Sequence, residues 1–190
     1  QINFDKYNEK YIIHFYSLMT RFIRNIISII FIYNFISCSA YALDIGANAT
    51  STVNTDSNVL QKFTGSNATL KVIDGATLER ANQPSLINEQ TGGTVIVESG
   101  STISATVANT IQGIDSANLT ITNSGTIKAG TSKAINLTDN EGARVTNNAG
   151  AIIQSDTNTI SLSENSGDTV DNIIITNYGT IFATDNSDTS

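Results

Sequence analysis

The chain has 190 residues but only one cysteine, Cys38, one histidine, His14, one proline and no tryptophan. A single cysteine cannot form an internal disulfide, so an exported form must be stabilised by packing and hydrogen bonding. Because His14 precedes residue 43, Ser-His and Cys-His nucleophilic sites and His/Cys zinc clusters are excluded beyond that point. Glycine-rich phosphate loops with a lysine and nonapeptide calcium repeats are also missing. We therefore predict no catalytic centre, no metal site and no cofactor.

The composition changes sharply near Ala42. Residues 1–42 contain ten of the thirteen aromatic residues, whereas residues 43–190 contain all thirteen glycines. Residues 43–190 also carry fifteen Asp and Glu against six Lys and Arg, a formal charge of −9. This sign disfavours nucleic acid and anionic lipid surfaces as partners, since both attract basic patches.

The first segment has the order of a secretory signal peptide. Two arginines follow Met19, a mainly apolar run covers 26–36, and small residues occupy the −3 and −1 places of 39–42. We predict a helical signal peptide over 19–42, cleaved between Ala42 and Leu43. The export machinery would recognise it.

Two alternatives for this segment remain open. One is a retained membrane anchor, although the apolar run is shorter than the roughly 20 residues that a membrane span needs. The other is a lipoprotein box at 35–38 that would place a lipid on Cys38. Residues 1–18, which precede Met19, are interpreted as an upstream extension, with an unusually long signal peptide as the alternative.

Residues 71–190 are repetitive. Glycines predicted to form turns recur after 25, 25, 25 and 29 residues, at Gly75, Gly100, Gly125, Gly150 and Gly179. Apolar residues define three predicted ladders. The first is Val72, Val97, Ile121, Val145 and Ile175; the second is Leu78, Ile103, Ile127, Ile152 and Ile181; the third is Leu86, Ile111, Ile135 and Ile160. The step from the first ladder to the second is 6, 6, 6, 7 and 6 residues, and from the second to the third it is always 8.

Three short alternating segments in every 24–25 residues predict an all-β, right-handed parallel β-helix with three short strands per coil. Residues 43–70 fit this frame loosely and are predicted to be an N-terminal cap. The repeats over 71–190 stop in mid-coil, which indicates truncation at the C-terminus. A helical solenoid is disfavoured because Thr, Asn, Val and Gly are weak helix formers. A β-sandwich is a better rival, but it does not predict a register kept over four copies.

Polar residues in the repeats have a structural and a functional interpretation. Asn123, Asn147 and Asn177 are expected to stack near a corner as an amide ladder, in preference to forming a calcium site. The acidic residues Asp115, Asp139, Glu141 and Asp168 are interpreted as a solvated edge, with Asp139 and Glu141 the closest acidic pair. A carbohydrate-active β-helix enzyme would need such carboxylates in a groove, and Arg80 and Arg144 are the only arginines beyond residue 42. Asn-x-Thr sequons begin at Asn48, Asn67, Asn118 and Asn136.

The motifs Ile-Thr-Asn-Ser-Gly-Thr-Ile at 121–127 and Ile-Thr-Asn-Tyr-Gly-Thr-Ile at 175–181, placed behind a signal peptide, resemble the passenger domains of bacterial autotransporters. The resemblance covers residues 43–190. It implies a non-catalytic protein on a Gram-negative cell surface, with a role in adhesion or surface structure.

The resemblance also implies partners. These are a host-cell or extracellular-matrix ligand and an outer-membrane β-barrel translocator encoded downstream. Loops such as 163–172 are candidates for binding the ligand. The second hypothesis is a polysaccharide lyase or hydrolase, and a protease is disfavoured because residues 43–190 contain no histidine.

Overall fold

The computed structural model describes residues 42–165 and 170–184. Within these ranges all the regular secondary structure is β-strand. The described residues therefore include no helix long and apolar enough to cross a membrane. The predicted signal peptide lies outside the described residues, apart from Ala42 at their start. Ala42 and Leu43, the predicted cleavage positions, are both exposed.

The strands are β1 Leu43–Ile45, β2 Thr50–Val53, β3 Gln61–Phe63, β4 Thr69–Val72, β5 Thr77–Arg80, β6 Leu86–Asn88, β7 Thr94–Val97, β8 Thr102–Ala105, β9 Ile111–Ile114, β10 Thr120–Asn123, β11 Thr126–Ala129, β12 Ile135–Thr138, β13 Arg144–Asn147, β14 Ile152–Ser155, β15 Ile160–Ser163, β16 Ile174–Asn177 and β17 Thr180–Ala183.

The strands form three parallel sheets that together make a solenoid. Sheet A has the order β1-β3-β6-β9-β12-β15, sheet B the order β2-β4-β7-β10-β13-β16, and sheet C the order β5-β8-β11-β14-β17. From β3 onward every third strand joins the same sheet, and β3 to β17 make five coils of three strands. The predicted three-stranded parallel β-solenoid is confirmed.

The interior is filled by layers of apolar side chains that alternate with outward polar ones along each strand. In sheet A the third predicted ladder is confirmed, since Leu86 pairs with Ile111, Ile111 with Ile135, and Ile135 with Ile160. Leu86, Ile111 and Ile135 are fully buried. At about 25 cal/mol per Å² of apolar area, each such side chain contributes roughly 1.5–3 kcal/mol to stability.

The first predicted ladder is wrong in its register. Ile121 pairs with Val95, and Val97 pairs with Asn123, so the prediction is displaced by two residues between β7 and β10. The inward ladders of sheet B are, in order along the sheet, Leu70, Val95, Ile121, Val145 and Ile175, and beside it Val72, Val97, Asn123, Asn147 and Asn177.

The cause of this displacement is that the corner between sheets B and C exists in two lengths. Four residues separate the strands in the coils that contain Gly75, Gly100 and Gly150, but only two in those that contain Gly125 and Gly179. The corner of four residues, which we call the wide corner, is a β-turn with its glycine at positive φ. At Gly150, for example, the Ala151 amide donates to the Asn148 carbonyl at 3.0 Å. The predicted steps of 6, 6, 6, 7 and 6 residues cannot all be correct, because the corner length changes by two residues between coils.

The second predicted ladder is correct at four positions and wrong at Ile152. Leu78, Ile103 and Ile127 pair in sequence, but Ile127 pairs with Ile153, which in turn pairs with Ile181. Ile153 is fully buried, whereas Ile152 is half-buried and points outward. Side chains on a strand alternate between faces, so the odd step of seven residues placed Ile152 on the wrong face.

Residues 43–70, predicted as an N-terminal cap, supply β1 to β3 and the start of β4, which all belong to sheets A and B. Sheet A partners are 18 residues apart between Leu43 and Gln61, but 24 or 25 apart in every later coil. The first coil is short because its third side has no strand, only a bridge from Ser57 to Leu78. This shortening explains the loose fit of the segment to the repeat.

A polar ladder that the sequence pattern did not indicate lies just before the strands of sheet A. Ser85, Thr110 and Thr159 are buried, and each hydroxyl donates to a carbonyl of sheet C in the next coil: those of Ser104, Lys128 and Phe182. Ala134 occupies the same place in its coil, opposite Gln154, and lacks the hydroxyl.

Replacing Ala134 with threonine is expected to give a more stable solenoid than replacing it with valine, because threonine can donate a hydrogen bond to the Gln154 carbonyl. The gain should be about 0.5–1.5 kcal/mol relative to Ala134→Val, which adds the same volume without a donor. Urea unfolding of the two variants measures the difference. Equal midpoints for threonine and valine would show that the hydroxyl contributes nothing there.

Candidate functional site

The predicted acidic edge lies in the corner between sheets A and B. Asp115 and Asp139 directly follow β9 and β12, and both adopt left-handed backbone conformations, with φ of 46° and 48°. Asp168 lies outside the described residues. Glu141 and Asp171 form an isolated bridge in the same corner, so the structure brings acidic residues of successive coils to one side.

The Asp139 carboxylate is engaged in holding a loop. One of its oxygens accepts the Asn165 backbone amide, the other accepts the Asn165 side-chain amide, and Asp139 is only 8% exposed. Glu141, by contrast, is exposed. A carboxylate whose two oxygens both accept hydrogen bonds from a neighbouring residue has little freedom to turn toward a substrate. No group of three or more His, Cys, Asp or Glu residues that could hold a metal occurs in the described ranges.

The predicted asparagine ladder is confirmed and is structural. Asn123 and Asn147 are fully buried, and the Asn123 amide donates to the Asn147 side-chain oxygen at 2.8 Å. Asn147 donates in turn to Asn177 at 2.9 Å. Each amide also donates to the next coil's backbone, Asn123 to Ile152 at 3.0 Å and Asn147 to Thr180 at 3.1 Å. With both amide hydrogens used inside the protein, these two residues are not placed to bind an external ligand.

The same ladder stabilises the corners of two residues at Gly125 and Gly179, which we call the tight corners. The side-chain oxygens of Asn123 and Asn177 accept the backbone amides of Gly125 and Gly179, each at 3.2 Å. Asparagine side chains commonly bond the backbone two residues ahead in this way. This turn allows the chain to pass from sheet B to sheet C with only two residues between the strands.

Three of the four sequon asparagines share one structural position. Asn48, Asn67 and Asn118 are exposed, lie two residues before strands of sheet B, and have φ of 57–58°. Gly92, Gly142 and Asn172 hold the same place in the other coils, also at positive φ. Since asparagine and glycine tolerate this conformation and threonine opens the strand, the corner itself accounts for Asn-x-Thr. Asn136, the fourth, is buried.

The outward side of sheet B presents a regular array of threonines, which we call the threonine face. It comprises the twelve outward positions of its six strands, and eight of them are threonine. One column is Thr50, Thr69, Thr94, Thr120, Arg144 and Ile174, and the other is Thr52, Lys71, Ile96, Thr122, Thr146 and Thr176. Parallel strands are about 4.8 Å apart, and alternate residues on a strand about 6.6 Å apart. The sequence pattern had indicated alternation in the strands but not this array.

No protein-family model matches the chain, and neither the curated proteins nor the solved structures include a significant match.

Proposed function

We propose that residues 43–190 are the exported passenger of an autotransporter-like outer-membrane protein and serve at the cell surface as a non-catalytic adhesive or structural rod. The single observation that supports this most strongly is the regular parallel solenoid with three long lateral faces. A stack of similar coils offers extended side surfaces, which suit contact with large ligands such as host-cell or extracellular-matrix components.

Export fits the way in which this fold is held together. The described residues contain no cysteine, and their stability comes from backbone ladders, apolar layers and buried asparagines that need no disulfide. In the proposed route, the signal peptide over 19–42 directs the chain to the export machinery, and an outer-membrane β-barrel translocator presents the solenoid outside the cell.

Adhesion is tested by adding the fluorescently labelled 190-residue chain to cultured epithelial cells and to immobilised extracellular-matrix proteins. We expect saturable binding by the folded protein. The matched control is Ile127→Asp, which places a charge in a fully buried position and should unfold the solenoid. Equal binding by this variant would mean that the folded surface is not responsible, and no saturable binding to either target would remove adhesion from the proposal.

The alternative function, a carbohydrate-active enzyme, predicts a different result with polysaccharides. Incubating the chain with acidic and neutral polysaccharides, with and without calcium, would then release reducing ends or unsaturated products. The engagement of Asp139 with Asn165 leads us to expect no turnover. Turnover that is lost in Asp139→Ala would favour the enzyme over the adhesive rod.

A further inference from the structure

We propose that the threonine face binds an extended acidic polysaccharide, whose sugars carry carboxylate or sulfate groups, laid parallel to the solenoid axis. The inference rests on the adhesive role proposed above and names the class of its ligand. Its basis is the charge of this face, the spacing of its two cations and the chemistry between them.

Charge sets the threonine face apart from the rest of the solenoid. Residues 43–190 carry a formal charge of −9, yet the twelve positions of the face contain no Asp or Glu, and their only charged residues are Lys71 and Arg144. Within the described residues neither of these takes part in an ion pair, and Arg144 is exposed. Carboxylates lie in the corners on both sides of the face: Glu141 and Asp171 in the corner before sheet B, and Asp74 and Glu98 in the corner after it. The charge on the face itself is therefore only positive, which favours anionic groups aligned along the middle of the face and disfavours them at its acidic margins.

The two cations are separated along the axis, which favours a polymer over a small ion. Lys71 lies in β4 and Arg144 in β13, three strands apart in sheet B. At about 4.8 Å per strand, this separation is roughly 14 Å along the axis. A free sulfate or phosphate can contact only one of them, whereas an extended chain with repeated anionic groups can reach both.

The surface between the cations suits a sugar chain. β7 and β10 contribute Thr94, Thr120 and Thr122, whose hydroxyls can donate to and accept from sugar hydroxyls, and Ile96, whose side chain can pack against sugar C–H groups. Threonine is β-branched and its side chain has few rotamers, and here it is held on a paired central strand. Little conformational entropy is therefore lost when a ligand binds, which favours affinity.

Binding is measured with the 190-residue chain and immobilised heparin, a sulfated and uronate-bearing polysaccharide, with neutral dextran as the reference. The double variant Lys71→Gln with Arg144→Gln is expected to weaken heparin binding about tenfold, as loss of the charge contacts of half-buried Lys71 and exposed Arg144 implies. The matched control, Lys128→Gln with Lys133→Gln, changes the net charge equally but lies away from the face and should change binding by less than about twofold. Thr120→Val with Thr122→Val should weaken binding severalfold without changing charge.

The outcomes separate this inference from the adhesive role. If both charge variants weaken heparin binding equally, the attraction is general and the inference fails. If the chain binds cells but not heparin, the threonine face has another role or none, and adhesion stands. If the chain binds neither cells, matrix nor heparin, adhesion fails as well. Loss in the face variants alone, with dextran unbound, supports the inference.

Discussion

Replacing Gly125 with alanine is expected to lower the free energy of unfolding by about 3 kcal/mol or more, because the new methyl group has no space. A Cβ atom at Gly125 would lie 2.3 Å from the Ser101 carbonyl oxygen and 2.4 Å from that of Glu98. Both oxygens belong to the wide corner of the coil below, on which the tight corner rests. Since they are backbone atoms in a paired region, they cannot move away without displacing the stack.

The matched control is Gly150→Ala, in a wide corner. Gly150 has φ of 80°, but nothing lies within 4 Å of a Cβ there, so alanine meets only the backbone penalty of about 1 kcal/mol. Urea unfolding of both variants, followed by far-ultraviolet circular dichroism, measures the difference. If the two substitutions lower the free energy of unfolding equally, the close contact between tight and wide corners does not limit which residue can stand at position 125.

The Asn147→Ala substitution is expected to cost about 2–4 kcal/mol. It removes the acceptor of the buried Asn123 amide and both donor hydrogens that reach Asn177 and Thr180. A buried polar group left without its partner costs about 1–3 kcal/mol, and the lost side-chain packing adds to this.

Its neighbour provides the control. Asn148 is half-buried and its amide makes a hydrogen bond to the Ser124 hydroxyl at 2.8 Å. Water can replace that bond, so Asn148→Ala should cost less than about 1 kcal/mol. Thermal unfolding of the two variants gives the comparison. If Asn148→Ala destabilises the protein as much as Asn147→Ala does, the asparagine ladder contributes no more to stability than a surface hydrogen bond.

The repeat period and the number of strands per coil were predictable because each coil repeats the same local chemistry. β-Branched residues alternate with polar ones, and Gly, Asn and Asp mark the corners. Leu86, Ile111, Ile135 and Ile160 were correctly aligned, since the chain that links each of them to the preceding sheet C strand keeps nearly constant length. The stacking of Asn123, Asn147 and Asn177 was also predictable, because these residues hold one place in the repeat.

The candidate site was less predictable, because it depends on contacts between residues far apart in sequence. The proximity of Asp139 and Glu141 in the chain suggested a pair, but Asp139 is held by Asn165 from the next coil. The threonine face depends on register as well, since Thr94 and Thr120 become neighbours only when β7 and β10 are paired correctly.

The sequence by itself determined that this is a coil of three short strands around an apolar centre, since burial and alternation are local properties of each segment. Only the tertiary structure decided that Val97 lies beside Asn123 and that Ile153, not Ile152, faces inward. A displacement of two residues keeps every side chain on its own face, so hydrophobic alternation cannot detect it. The close contact of the corner at Gly125 with the corner of the preceding coil accompanies this register, and that contact exists only between stacked coils.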